Sequence, residues 1–148
     1  MNKFVFYLLS LMILSSCNSK NSESNKLLLD SPIFENDGKY LIIPLLYGCD
    51  GCVKKTYEFV ESNHASIKNK NDFYVVWTQL KNKRQIERDY DEKFLENFII
   101  DSLNVLNSEI DSYPVLFEVE SGYINNQITL SPDNLNSELK NLKDHLIE

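Results

Sequence analysis

The sequence lacks a basic excess. Its 148 residues carry 15 lysines and arginines against 22 aspartates and glutamates, a net charge of −7. A nucleic-acid-binding domain needs a basic surface to neutralise phosphates, so that class is excluded. Long apolar runs are missing too. The richest, Phe4–Leu14, falls short of the roughly 20 residues that span a bilayer. Metal ligands of the usual kind are few, with three cysteines and two histidines, whereas a closed zinc site wants about four converging together. No internal repeat or second domain is visible, and one domain is the expectation at this length.

What is present begins at the N-terminus. Lys3 supplies a small positive region, Phe4–Leu14 an apolar one, and Leu14-Ser15-Ser16-Cys17 closes it, so residues 1–16 read as a targeting segment that stays out of the fold. The closing tetrapeptide resembles the lipobox of bacterial lipoproteins. That resemblance implies lipidation of Cys17 (palmitate among the acyl chains), anchorage to a membrane, and an extracytoplasmic compartment in which disulfides persist. Asn18, where a retaining aspartate would stand, favours the outer membrane with the chain facing the periplasm. Residues 17–26, the lipidated cysteine followed by the polar "NSKNSESNK", form a tether with nothing to bury. The folded domain is expected over 27–148.

Leu27–Leu29 reads as a short first strand, followed by turn signals at Ser31-Pro32 and Asn36-Asp37-Gly38. Tyr40–Tyr47, "YLIIPLLY", is apolar on both faces and fits a central buried strand. Pro44 conflicts with that, because proline cannot donate to a ladder. Val53, Thr56, Tyr57 and Val60 recur at helical spacing and predict a helix over about Gly51–Asn63. Phe73–Thr78 predicts a second strand, and a strand–helix–strand order suggests a parallel crossover. After the charged "LKNKRQIERDY", most simply a solvated face, Asp91-Glu92 would open a helix lined by Phe94, Leu95, Phe98, Ile99 and Leu106. Pro114 leads a strand over Val115–Val119, Ser121-Gly122 turns it into Tyr123–Leu130, and Ser131 with Pro132 would start a last helix faced by Leu135, Leu139, Leu142 and Leu146. The expectation is an α/β fold with a central mixed sheet of about four strands flanked by helices.

The chemistry is concentrated in "YGCDGC", where Cys49 and Cys52 stand at the head of the first helix. Alone, the pair permits a redox couple, a soft-metal clip or a structural staple. Two ligands do not close a zinc site, and His64 and His145 both read as solvated or capping histidines. A three-residue spacing closes too small a loop to stabilise much by chain entropy.

Read together, CxxC at a helix start, "SYPVLFEV" and "ITLSPDNLNSELKNL" resemble the thioredoxin superfamily over about Tyr40–Glu148. The resemblance implies a thiol–disulfide oxidoreductase, reductase or isomerase in type, acting on protein disulfides with an unidentified redox partner and needing no cofactor. Cys49 would be the nucleophile and Cys52 the resolving thiol. Pro114 would be cis, and the backbone of Tyr113 would pair with substrate. Three departures stand out. Gly48 replaces the aromatic residue before the first cysteine, with a looser shape expected there. Gly51 replaces a proline, and Ile43 a buried acid, leaving solvent or Glu58 to move the resolving proton. Asp50 would oppose a Cys49 thiolate, and Lys54 and Lys55 would favour one. A reading of another class is a non-catalytic lipoprotein module binding a protein or a soft metal ion.

Overall fold

Five strands, not four, make one mixed sheet in the computed structural model, which describes residues 33–46, 48–79, 97–108 and 110–147. The expected strand at Leu27–Leu29, the tether, Cys17 and the charged segment after Thr78 fall outside these residues. In chain order the elements are β1 (Gly38–Pro44), α1 (Asp50–Lys68), β2 (Phe73–Thr78), β3 (Phe98–Ile100), a 3₁₀ turn (Val105–Ser108), β4 (Val115–Glu120), β5 (Tyr123–Thr129) and α2 (Leu135–Ile147). The strand order across the sheet is β3-β2-β1-β4-β5. β2 runs parallel to β1 and to β3, whereas β4 is antiparallel to β1 and to β5.

β1 is central, which is why its sequence is apolar on both faces. Leu41 and Ile43 join Phe73, Val75 and Trp77 of β2 on one face, under Val60 and Ile67 of α1 and Leu135, Leu142 and Leu146 of α2. Tyr40 and Ile42 join Tyr74, Val76, Val115, Phe117 and Val119 on the other, capped by Ile33, Phe34, Leu106 and Ile110. The alternation is the two-residue period of a strand read out as two cores. Tyr40 anchors the second core with its ring stacked on Tyr74 at 4.7 Å and edge-on to Phe34 at 4.9 Å. Its hydroxyl donates to the Asn36 carbonyl at 2.7 Å.

Pro44 fits because of where the ladders stop. Lys39 N and Leu45 N both donate toward β2, to Asp72 O at 2.7 Å and Thr78 O at 3.1 Å. By the two-residue alternation the nitrogen of Pro44 faces the β4 side. There the last paired residues are Ile42 and Val115, so the missing N–H has no partner to lose.

α1 outruns its predicted end by a turn. Ile67, one heptad beyond Val60, continues the buried stripe. The helix then closes at Asn69, with Asn69 N bonded to Ser66 O and Lys70 N to Ile67 O, each at 3.1 Å.

The largest correction concerns Phe98, Ile99 and Leu106, expected on one helix. Phe98–Ile100 is instead strand β3, paired with Val75–Trp77, and Leu106 sits in the 3₁₀ turn. Two β-branched residues after Phe98 favour an extended chain beside an open sheet edge. Asp101 then turns the chain: its buried carboxylate accepts from Thr78 Oγ1 at 2.8 Å, Val105 N at 2.9 Å and Leu106 N at 3.0 Å. Its oxygens are met by three donors and, at 2 % exposure, it is not a surface acid.

The β4–β5 hairpin turns on Ser121 and Gly122, both with positive φ (55° and 74°), the geometry of a two-residue primed turn. A bulge places Asn125 out of register, since Glu118 pairs with Asn126 and Val119 with Ile124. Ile124 and Ile128 therefore pack on opposite faces although four residues apart. α2 starts later than its Ser-Pro signal suggests. Residues 131–134 form a turn whose Ser131 carbonyl accepts from Asn134 N and Leu135 N, and the Ser131 hydroxyl donates to Asn134 Oδ1 at 3.3 Å. No helix among the described residues is long and apolar enough to cross a membrane.

Candidate functional site

Strand β1 ends at Pro44 and α1 starts at Asp50, so the connection carries Cys49 onto the open N-terminus of a 19-residue helix. Cys49 is the N-cap, with φ −60° and ψ 108°, and Val53 N donates to its carbonyl at 2.8 Å. Residues in this position leave the first helical N–H groups without backbone partners. Cys49 Sγ makes no capping hydrogen bond of regular geometry, but the N–H and thiol of Cys52 and the N–H of Gly51 are the donors near enough to favour its charged form. These donors hold the Cys49 thiol below the usual value, while burial and the Asp50 carboxylate oppose them. The sign left open by the sequence is thus set by backbone donors, not by the lysines.

Cys52 is the opposite case. It lies 2 % exposed in the core between sheet and helices. Burial first, then the neighbouring Cys49, pushes its thiol up to about 11. Both cysteines are free thiols. The arrangement is one half-exposed sulfur prone to ionise and one buried sulfur that stays protonated behind it.

The expected substrate-side residues lie close by, with a changed geometry. Cys49 N donates to the Ser112 carbonyl at 2.5 Å, tying the helix start to the segment that leads into β4. Pro114 is buried and Tyr113 half-buried against the core that holds Cys52. The Tyr113–Pro114 peptide is trans, as are all described peptide bonds, which corrects the expected cis proline. Even for X-Pro the cis form costs about 0.5–1 kcal/mol. Here the trans chain brings the Ser112 carbonyl to Cys49 N.

Gly48 is also corrected: the backbone there is tight, not loose. A Cβ at Gly48 would overlap Val53 Cγ2 and come within 2.5 Å of Pro44 O. An aromatic residue cannot occupy this position without moving the strand end. A Cβ at Gly51, by contrast, meets nothing within 4 Å. Gly48→Ala is expected to cost about 1–3 kcal/mol of unfolding free energy and Gly51→Ala less than about 0.5 kcal/mol, measured by urea denaturation of the two variants beside the wild type. Equal stabilities for the two would contradict the close approach at Gly48.

A cavity of about 160 Å³ opens beside the pair, lined by Cys49, Gly51, Cys52, Lys55, Pro132 and Leu135. Tyr113 and Pro114 are not among its walls. Pro132 and Leu135 were legible only as a helix start, and Lys55 only as a nearby charge. What brings them here is topology: β1 and β5 both reach this end of the sheet, so the turn before α2 comes down beside the start of α1. A larger cavity of about 230 Å³, lined by Lys39, Leu116, Glu118, Leu142 and His145 among others, lies by the N-terminal half of β1 and has no cysteine. The chemistry belongs to the smaller one.

The remaining candidates fall away from the cysteines. Glu58 is exposed, its carboxylate 4.0 Å from Lys54 Nζ on the next turn, so it is not placed to move the Cys52 proton. His64 is exposed late on α1. His145 lies 3.7 Å from Asp72 at the other end of the sheet. Among the described residues, no three or more histidine, cysteine or acidic side chains cluster as metal ligands. Ile43, fully buried, packs in the same core as Cys52. No family model, curated protein or solved structure matches the chain.

Proposed function

We propose that the chain is a thiol–disulfide oxidoreductase of thioredoxin-like fold, reducing or isomerising protein disulfides through Cys49 and Cys52. One observation carries this: Cys49 caps an open helix start where backbone donors favour its thiolate, with Cys52 buried one turn behind it. A structural staple has no use for such asymmetry. The thioredoxin-like assignment is supported by the strand–helix–strand crossover, the antiparallel hairpin and the closing helix.

In the proposed cycle the Cys49 thiolate attacks one sulfur of a substrate disulfide. The substrate S–S bond breaks, a mixed disulfide forms, and the leaving sulfur departs as a thiolate that takes up a proton. Cys52 then loses its proton and attacks Cys49 Sγ. A Cys49–Cys52 disulfide forms and the second substrate sulfur is released, so the substrate gains two electrons and the pair loses two. A redox partner with a dithiol restores the pair, and the reverse direction oxidises substrate. Substrate would approach Cys49 through the cavity walled by Lys55, Pro132 and Leu135, with the Ser112 carbonyl held on Cys49 N and Tyr113 and Pro114 following it in the chain. The resemblance of residues 14–17 to a lipobox supports a lipid anchor at Cys17 and a place in the bacterial envelope, facing the periplasm.

The test removes the resolving thiol. Cys52→Ala, incubated with a peptide containing one disulfide, is expected to hold the peptide on Cys49 as a stable adduct, located by peptide mapping, while Cys49→Ser holds none. Absence of an adduct in Cys52→Ala, or an equal adduct in Cys49→Ser, would contradict the proposal.

A further inference from the structure

The second step has a difficulty that the first does not. Cys52 is buried and its thiol is pushed up to about 11, yet it must ionise to attack. Among the described residues no carboxylate is in place to take the proton: Ile43 is apolar and buried in the same core, and Glu58 faces Lys54. In the core that holds Cys52, Ile43 and the half-buried Leu45 and Tyr113 bring no carboxylate. The acids on the elements that meet at this end of the sheet, Asp50 at the start of α1, Asp111 before β4 and Asp133 before α2, are all exposed.

Lys55 stands three residues after Cys52, on the same side of the helix. It lines the 160 Å³ cavity together with both cysteines. Its Nζ also lies 3.5 Å from Asn136 Oδ1 on α2, a weak tether that keeps the ammonium over the mouth instead of out along the helix. Lys54, one residue earlier, is turned to Glu58. Among the described residues, Lys55 is a positive charge beside Cys52 that acts to lower its thiol, against burial and Cys49.

We infer that Lys55 is a positioning residue for the resolving step: its ammonium, held at the cavity mouth by Asn136, stabilises the Cys52 thiolate that attacks Cys49. This deepens the proposed function and rests on Cys52 being the resolving thiol. When Cys49 is tied up in a mixed disulfide it no longer carries a negative charge toward Cys52. Lys55 is then the near charge that remains, and water entering the cavity can take the proton. In the thioredoxin-like frame, a cation at the mouth replaces an acid inside the core.

The experiment separates the two steps with the purified full chain carrying Cys17→Ser, so that Cys49 and Cys52 are its two thiols, and 2,2′-dithiodipyridine, an uncharged aromatic disulfide that Lys55 does not steer. The first thiopyridone released reports attack by Cys49, and the second reports resolution by Cys52. In Lys55→Gln the first release is expected at the wild-type rate. The second slows by on the order of two- to fivefold at neutral pH, the size an exposed charge retains after screening. Its rate–pH curve moves to higher pH and merges with the wild type where Cys52 is fully ionised. Lys55→Arg is expected to restore the second phase. An unchanged second phase in Lys55→Gln, a deficit that persists at the high-pH plateau, or no rescue by arginine would overturn the role of Lys55 and leave the redox reading standing. A wild-type chain that never releases the second thiopyridone would overturn the redox reading itself.

Discussion

Iodoacetamide is expected to alkylate Cys49 readily near neutral pH and to leave Cys52 untouched in the same molecule. Alkylation follows the thiolate fraction, so its rate–pH curve gives the ionisation of each sulfur. For Cys49 the midpoint is expected below the free-thiol value of about 8.5, because the N–H and thiol of Cys52 and the N–H of Gly51 favour its thiolate. Cys52→Ala removes one of these donors and keeps the backbone ones, so the Cys49 midpoint should rise without returning to the free value. Asp50→Asn removes an opposing charge and should lower it further. Cys52 is expected to react only near pH 11 or once the chain unfolds, since burial is the first cause of its raised value. Mass mapping of alkylated peptides across a pH series reads both sulfurs at once. Equal labelling of the two cysteines at neutral pH would contradict the site as described.

Asn97→Ala is expected to give the largest loss of stability among single polar substitutions away from the cysteines. The Asn97 side chain is buried, and its amide N–H groups are shared among three carbonyls: Ile67 O at 2.7 Å, Phe73 O at 3.0 Å, and Lys70 O. These belong to the end of α1, the start of β2 and the turn between them. One side chain therefore fixes the helix end against the sheet edge where β3 joins. Removing it leaves buried acceptors unmade, at a cost of about 2–3 kcal/mol, read as a lower urea midpoint with an unchanged slope. Asn97→Asp should be worse still, because a carboxylate cannot donate to carbonyls. A variant within about 0.5 kcal/mol of the wild type would mean that these bonds do not hold the helix end.

Asn97 also shows where the sequence stops being legible. The segment around it carries apolar residues at spacings that suit a helix, and its donors go to carbonyls some 25 to 30 positions earlier, which no local pattern reveals. The same holds for β3. Phe98–Ile100 is three residues long, too short for a two-residue period to declare itself, and it forms because β2 offers an unpaired edge. β2 and the hairpin were legible for the opposite reason. Six consecutive buried residues in "FYVVWT" and a Ser-Gly turn with two positive φ angles are local signals that tertiary context does not override.

At the site, helical spacing after Cys52 was enough to place Cys49 at a helix start. What it could not supply was the third dimension: the Ser112 carbonyl on Cys49 N, the trans Pro114, the cavity wall from Pro132 and Leu135, and the overlap that makes Gly48 a requirement. Each comes from a segment distant in sequence or from a backbone contact without a side-chain signature. Gly48 and Pro44 illustrate the second kind. Both looked like exceptions to a pattern: Pro44 fits because the β4 ladder stops at Ile42, and Gly48 because its backbone passes close to Pro44 O and Val53.

The central claim, that Cys49 and Cys52 are a reversible redox couple, is tested most directly by equilibrating the purified chain, with Cys17 replaced by serine, with glutathione over a range of reduced-to-oxidised ratios. Acid quenching, alkylation and intact-mass analysis then count the species. A single two-electron transition between a dithiol and an intramolecular Cys49–Cys52 disulfide is expected, reached from either direction, with glutathione on Cys49 only as a minor intermediate. A chain that stays dithiol throughout, or that accumulates glutathione on Cys49 without closing the disulfide, would contradict it.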